Sequence, residues 1–225
     1  MTLPAFSAAG TGSETSAAWP THASGDFGLL CVETNSGTVT TPSGWTPLIV
    51  LDSFSGNFVR LVVFRRFATS SSEGAPSLSG GNNHLWGTII TYTGVNTNTP
   101  IHSRAVQAMN AQASHWLPGL TTFVNDCMIV KVAAYNNDSA GPLFSGETDS
   151  TLGSLAERYD AGTTTNNGGG IYVVDGTLAT KGVCGPTQVT MSTGGALIAL
   201  TLALQGADIT DVKVGRRSRV VNTGM

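Results

Sequence analysis

The stretch ALIALTLAL, residues Ala196–Leu204, is the most apolar run of the chain. From Ile198 onward its even-numbered positions are large and apolar, while its odd-numbered positions are mostly small and none is charged. A repeat of two residues is typical of a β-strand. Because neither face carries a charge, we expect a central strand, covered by an opposing sheet on one side and by a loop or a neighbouring subunit on the other.

Two further segments support a β-rich fold. In Cys127–Tyr135 the apolar side chains alternate with positions that include Lys131, which predicts a half-buried strand. In Phe58–Phe67 the alternation places Arg60 and Arg66 on the polar face, but Arg65 interrupts it. A β-bulge near Arg65 and Arg66 would restore the pattern.

Short apolar runs separated by Gly, Ser, Asn and Pro recur along the whole sequence. The other strand candidates are Phe27–Thr34, Thr46–Leu51, Leu85–Thr93, Leu155–Tyr159, Ile171–Val174, Thr177–Thr180 and Gln188–Met191. Asp175-Gly176 lies between two of them and predicts a two-residue hairpin turn. Helical periodicity is confined to one short turn at Val106–Ala113.

Many short strands with few helices predict an all-β protein, specifically an antiparallel β-sandwich of jelly-roll type. We expect the sandwich to span residues 1–207 and a basic C-terminal arm to span residues 208–225. No internal repeat is evident in the sequence.

Composition excludes several protein classes. The 225 residues include 28 Gly, and only 11% are charged, less than half of the roughly 25% usual for soluble domains. This argues against helical bundles, and the low net charge of −3 argues against a disordered chain. The opening residues lack a basic and apolar leader pattern, and Ala196–Leu204 is too short for a membrane helix, so neither a secretory signal nor a membrane partner is expected. The odd number of cysteines (Cys31, Cys127 and Cys184) predicts free thiols from a reducing cytoplasm.

Charge is distributed unevenly between the body and the end of the chain. Residues 212–225 carry four basic and no acidic side chains, which leaves seven basic and fourteen acidic residues elsewhere. An arm this polar cannot bury enough apolar surface to fold alone. We expect it to dock on a protein surface through Lys213, Arg216, Arg217 and Arg219. Nucleic acid is not expected as a partner, because the body is acidic.

The sequence gives little support for catalysis. It contains no nucleophile elbow, zinc helix, phosphate-binding loop or C-x-x-C pair. Glu147, Asp149 and Glu157 form the densest acidic region and would serve a glycosidase or lyase, but a solvated loop is the favoured interpretation. The histidines (His22, His84, His102 and His115) are expected at separate surface or edge positions. Asn136-Asn137-Asp138 is expected to form a turn and not a calcium site. No metal, no cofactor and no enzymatic activity are therefore predicted.

The four tryptophans divide into two pairs. Trp45 and Trp86 adjoin strand candidates and are expected in the core. Trp19 and Trp116 lie in loop-like contexts beside prolines and are candidates for a ligand or interface role.

Several motifs together resemble tailed-bacteriophage virion proteins. The pattern comprises GDFGLLCV at residues 25–32, TPSGWTPL at 41–48, FRRFAT at 64–69, IITYTGV at 89–95 and MSTGGA at 191–196. The resemblance covers about residues 20–205 and implies a head decoration, a collar or tail appendage, or a host-surface adhesin. It transfers no functional residue.

The leading hypothesis is a non-enzymatic structural component of a phage virion, assembled in the bacterial cytoplasm. It would be a homo-oligomer, with a trimer favoured, and its arm would attach it to other virion proteins. The alternative is a carbohydrate-binding adhesin that uses Trp19 and Trp116 to recognise a host glycan.

Overall fold

The structure is a computed structural model that describes residues 2–53 and 59–208. Regular structure in these ranges consists of β-strands. The first half of the chain contributes β1 (Ala5–Ala9), β2 (Phe27–Thr34), β3 (Ser36–Val39), β4 (Thr46–Asp52), β5 (Arg60–Phe67), β6 (Gly80–Asn82) and β7 (Trp86–Thr93). The second half contributes β8 (Ile101–Leu117), β9 (Leu120–Thr121), β10 (Cys127–Tyr135), β11 (Phe144–Thr148), β12 (Gly153–Thr163), β13 (Gly169–Leu178), β14 (Val183–Cys184) and β15 (Thr187–Gln205).

Two antiparallel sheets pack face to face, which confirms the all-β sandwich. The first sheet has the order β1-β7-β2-β5-β4, and the second has the order β8-β15-β10-β13-β12 with β11 also paired to β15. Each sheet is built from one half of the chain. Jelly-roll connectivity is not confirmed.

The two halves repeat one topology that the sequence does not reveal. In the first half β1 pairs with β7, β7 with β2, and β2 with β5, which also pairs with β4. In the second half β8 pairs with β15, β15 with β10, and β10 with β13, which also pairs with β12. The sheets face each other with their strand orders reversed. Arg104 on β8 bonds the Leu48 carbonyl on β4, and Arg158 on β12 stacks on Phe6 of β1. Such a reversal is what a two-fold rotation between the sheets produces.

The ends of the two repeats meet at one place. The backbone N–H of Thr2 donates to the Ala207 carbonyl at 2.9 Å, and the N–H of Ala207 donates to the Gly94 carbonyl at 2.8 Å. Val95 and Gly206 form an isolated β-bridge beside these bonds. The start of the first repeat, the link between repeats and the end of β15 therefore lie together.

Four local expectations about the strands are wrong. β10 is buried on both faces, Lys131 included, and is not the half-buried strand that its alternation predicts. Val106–Ala113 lies within β8 and is not helical. Asp175-Gly176 lies inside β13, where Asp175 is buried and accepts a hydrogen bond from the Tyr92 hydroxyl at 3.0 Å. β5 pairs with β2 in unbroken register, so no bulge forms at Arg65; the irregularity lies in β4 between Pro47 and Ile49.

The central core lies between the sheets and contains alternate residues of the long strands. It includes Phe27, Leu29, Leu61, Tyr92, Val130, Ile171, Leu200 and Leu204. Trp86 packs against this core, and Trp45 is buried on the outer face of the first sheet, so both tryptophans pack as expected.

The outer faces of both sheets are also covered by the chain itself. Ala17, Trp45 and Leu78 pack over the first sheet, while Leu143 and Leu120 are among the residues that cover the second. The apolar face of β15 is therefore covered by loops of the same chain. No neighbouring subunit is needed to cover the sheet faces that the structure describes, so any association must use other surfaces.

Buried charges fasten the layers together. His84 Nε2 lies 2.8 Å from Glu33 Oε2, and both side chains are almost fully buried between the sheets. Burial raises the pKa of Glu33 to about 7. On the outer face, Lys131 donates to Asp149 at 3.2 Å and to the Gly185 carbonyl at 2.9 Å.

Cys31, Cys127 and Cys184 are all buried free thiols, which confirms the expectation that the cysteines are unpaired. Burial raises the pKa of Cys31 to about 12 and that of Cys127 to about 11. Thiolates are disfavoured at these two positions, which therefore serve as small apolar core residues.

Candidate interaction surface

β8 forms a long open edge of the second sheet. Within the described ranges it pairs only with β15, and its other side has no strand partner. Nine of its 17 residues are exposed. From Ser103 to Met109 the register with β15 is uninterrupted. This segment therefore presents a regular row of backbone donors and acceptors along one side of the molecule.

The sequence of β8 lacks the devices that usually protect an edge strand. Arg104 is its only Lys, Arg, Asp or Glu, and it contains no proline. The opposite edge of the sheet, β12, carries Glu157, Arg158 and Asp160. Both edges have register irregularities, but those of β8 lie outside Ser103–Met109. Charges on an edge discourage pairing with a second chain. Of the two edges of the second sheet, β8 is therefore the one that is suited to strand addition.

Exposed apolar side chains also occur on β8. Val106 is 50% exposed and Trp116 is 49% exposed. The other large exposed apolar residues of the described ranges are Val50, Phe123 and Val183. Val106 pairs across the sheet with Leu200, whose side chain is in the central core. Val106 therefore lies on the inner face of the sheet, at the open edge of the sandwich.

The two tryptophans proposed for ligand contact have different surroundings. Trp116 is at the exposed end of β8, opposite Gln188. Trp19 is partly buried, with its ring centroid 5.2 Å from that of Trp45 and 4.9 Å from that of His22. A Cβ on Gly28 would lie 2.6 Å from the Trp19 ring, so the ring is seated directly on the first sheet. The structure does not bring Trp19 and Trp116 together in one pocket that it describes.

The basic residues of the predicted arm, Lys213, Arg216, Arg217 and Arg219, lie outside the described residues. The last described residue, Asp208, accepts a hydrogen bond from Asn96 at 3.3 Å. Asp208, the residue at which the arm is predicted to begin, therefore lies beside the link between the two repeats.

The acidic residues do not lie in a solvated loop as expected. Asp149 is buried against Lys131, whereas Glu147 belongs to β11 and accepts a hydrogen bond from the Tyr172 hydroxyl at 2.8 Å. Burial and the carboxylates of Asp160 and Glu147 raise the pKa of Glu157 to about 7.

The histidine expectation holds for only part of the set. His22 and His102 are partly exposed, but His84 and His115 are buried, which corrects the prediction of four surface or edge positions. His84 is buried because it pairs with Glu33, and sequence reasoning missed this because the two residues are 51 positions apart. No group of three or more His, Cys, Asp or Glu side chains within residues 2–53 and 59–208 is arranged to hold a metal ion.

The segment after β10, where a turn at Asn136-Asn137-Asp138 was the expectation, has an irregular backbone. Asn137 Nδ2 donates to the Thr193 hydroxyl at 2.7 Å and to the Gly194 carbonyl at 2.9 Å. These two hydrogen bonds attach the segment to β15.

Comparison of the chain with protein-family models, with curated proteins and with solved structures finds no match. In the described part of the chain, no helix has the length and apolar character needed to cross a membrane.

Proposed function

We propose that the protein is a non-enzymatic structural component of a tailed-phage virion, either a head decoration or a collar or tail appendage, which associates through the β8 edge. The observation that carries the proposal is the open, almost uncharged edge of β8 in an otherwise well-covered sandwich. The sequence resemblance to virion proteins supplies the biological setting.

Association through an edge uses the backbone. An incoming strand would pair with the free donors and acceptors of Ser103–Met109 and extend the second sheet. The incoming strand would cover the half-exposed Val106 at the same time. In a closed homo-oligomer, with a trimer favoured, every copy would offer the same edge region to its neighbour.

A lysine on this edge should prevent association. We expect Val106→Lys to weaken self-association by about tenfold or more, because a lysine at the pairing edge must lose its hydration when a second strand approaches. Molar mass measured by light scattering over a range of concentrations reports the change.

The matched control is Val50→Lys. Val50 is 55% exposed on the edge strand β4, but it faces outward from the other sheet, opposite Val62. The control should associate like the unmodified protein, and both variants should keep its thermal midpoint. A monomeric unmodified protein at about 100 μM, or equal weakening by the two lysines, would contradict assembly through β8.

The C-terminal arm would attach the oligomer to the rest of the particle through Lys213, Arg216, Arg217 and Arg219. Deleting residues 209–225 should leave the thermal midpoint and the molar mass of the oligomer unchanged, because the described fold closes at Gly206 and Ala207. The truncated protein should no longer join particles in an assembly reaction. Normal incorporation would rule out the arm as the anchor.

A further inference from the structure

A cleft of about 410 Å³ opens on the side of the sandwich where β4 faces β8. Its lining includes Leu48 of β4, Arg65 of β5, Asn98 of the link between the repeats, and Ile101, His102 and Arg104 of β8. A second cleft of about 480 Å³ shares Arg65 and continues along the first sheet past Thr46 and Arg66. The two clefts meet at Arg65.

The two arginines enter the first cleft from different sheets. Arg65 lies on the same face of β5 as the core residues Leu61 and Val63. Arg104 pairs across the second sheet with the core residue Leu202. Each guanidinium is therefore at the margin of an inner, apolar face. Arg65 therefore interrupts the polar and apolar alternation of β5 because it lies at the margin of the inner face.

Neither arginine has an acidic partner among the described residues. Of the seven Lys and Arg residues in the described ranges, four form ion pairs with carboxylates: Arg60, Arg66, Lys131 and Arg158. The three described cations without such a partner are Arg65, Arg104 and Lys181. Two of the three line the same cleft, and no Asp or Glu of the described residues is part of its lining. Unpaired guanidinium groups that converge in this way favour an anion.

Neighbouring contacts hold donors around the opening. Arg104 Nη1 donates to the Leu48 carbonyl at 3.2 Å, which holds the guanidinium across the gap between the two sheets. His102 Nε2 accepts from the backbone N–H of Phe123 at 2.9 Å, so the neutral ring carries its proton on Nδ1. Both groups are fixed by the protein before a ligand arrives.

The size of the cleft distinguishes a small anion from a larger ligand. A water molecule occupies about 30 Å³ of liquid volume, so the cleft has room for about a dozen solvent-sized groups. A single ion would leave most of this space to solvent. The lining combines the apolar side chains of Leu48 and Ile101 with polar side chains such as Asn98 and His102. This combination suits a compact hydroxylated ring that carries one carboxylate.

We propose that this cleft is a binding site for a carboxylated saccharide unit, with Arg65 and Arg104 as the ligands of its carboxylate. Guanidinium groups bind carboxylates through two parallel N–H···O bonds, which gives both strength and orientation. The lining residues come from a single chain, although Ser103 and Arg104 also belong to the segment of β8 that the proposed assembly would use.

The test is titration calorimetry of the full chain with trigalacturonate, and with neutral galactotriose as the matched sugar. Trigalacturonate should bind and galactotriose should not, and binding should weaken as NaCl rises from about 50 to 500 mM. Arg65→Gln and Arg104→Gln should each weaken binding by about tenfold or more. Lys181→Gln removes the third unpaired cation outside the cleft and should have no effect.

Three results would overturn the proposal. The first is no heat of binding with up to about 10 mM trigalacturonate, and the second is unchanged affinity in Arg65→Gln and Arg104→Gln. The third is equal affinity for inorganic phosphate or for a triglutamate peptide, which would show a site for anions in general or for acidic protein segments. Thermal midpoints of the variants confirm that each is folded, so loss of binding is not loss of structure.

Discussion

Replacement of Gly170 by alanine should destabilise the protein by about 3 kcal/mol, because a side chain there meets both a ring and the backbone. A Cβ on Gly170 would lie 2.3 Å from the Tyr135 hydroxyl and 2.5 Å from the Ala161 carbonyl oxygen. The Tyr135 side chain is fully buried, and it runs across β13 and β12 at the positions of Gly170 and Gly162. Denaturation by urea measures the loss.

Gly141→Ala is the matched control for this substitution. No atom lies within 4 Å of a Cβ at Gly141, and its backbone conformation is open to alanine. This change should be neutral or stabilise by about 0.5 kcal/mol, because alanine lowers the entropy of the unfolded chain. Equal stability of the two variants would show that Tyr135 does not occupy the space above Gly170.

Replacement of Lys131 by methionine should cost about 3–5 kcal/mol, the usual cost of breaking a buried ion pair by removing one partner. Lys131 and Asp149 have 1% and 0% of their side chains exposed. The amino group also binds the Gly185 carbonyl, so it fastens two loops to the outer face of the second sheet. Methionine fills similar space but leaves the Asp149 carboxylate without its cation. Urea denaturation at pH 7 provides the measurement.

The cost should depend on pH. Burial acts to raise the pKa of Asp149, but hydrogen bonds from Thr151 and Thr187 and the charge of Lys131 outweigh it, and the pKa is lowered. A lowered folded-state pKa contributes stability above the unfolded value of about 3.9, and this contribution is lost as pH falls through the folded value. The difference between the unmodified protein and Lys131→Met should therefore shrink below about pH 4.

Lys181→Met is the control for loss of a lysine, because Lys181 is exposed and has no carboxylate partner among the described residues. It should change stability by less than about 0.5 kcal/mol. A cost for Lys131→Met that stays constant down to pH 2 would show that lost packing, and not the ion pair, accounts for the effect.

Strand periodicity predicts the core of this fold well. Met128, Val130, Val132 and Ala134 face the opposing sheet as their spacing indicates, and β15 lies next to β10 inside the second sheet. These predictions succeed because a strand buried between layers must repeat its apolar residues every second position. The pattern is local and needs no knowledge of the partner strand.

Tertiary contacts account for the failures. Asp175-Gly176 has the composition of a turn, but Asp175 finds Tyr92 and Arg158 as partners and Gly176 leaves room for Leu152, so the strand continues. The apparent helical turn at Val106–Ala113 is overridden by pairing with β15. Local propensity cannot report partners that lie tens of residues away.

The candidate sites were only partly accessible from sequence. The sequence shows that Arg65 interrupts the alternation, but a bulge is the wrong explanation. β5 keeps its register with β2, and Arg65 lies at a margin of the sandwich that only the strand order defines. The open edge of β8 was hidden for the same reason. Whether a strand lies at an edge depends on how the other strands are arranged, and the amino-acid pattern of β8 carries no information about that arrangement.

Thr2, Gly94 and Ala207 lie together, which is compatible with an origin by gene duplication and makes a circular permutation feasible. Two tandem copies of an ancestral five-stranded unit, fused after gene duplication, would place their ends in this way. The same closeness makes the chain suitable for circular permutation: a gene that begins near Asn98, with a short linker from Ala207 to Thr2, would exchange the order of the halves while every strand keeps its neighbours.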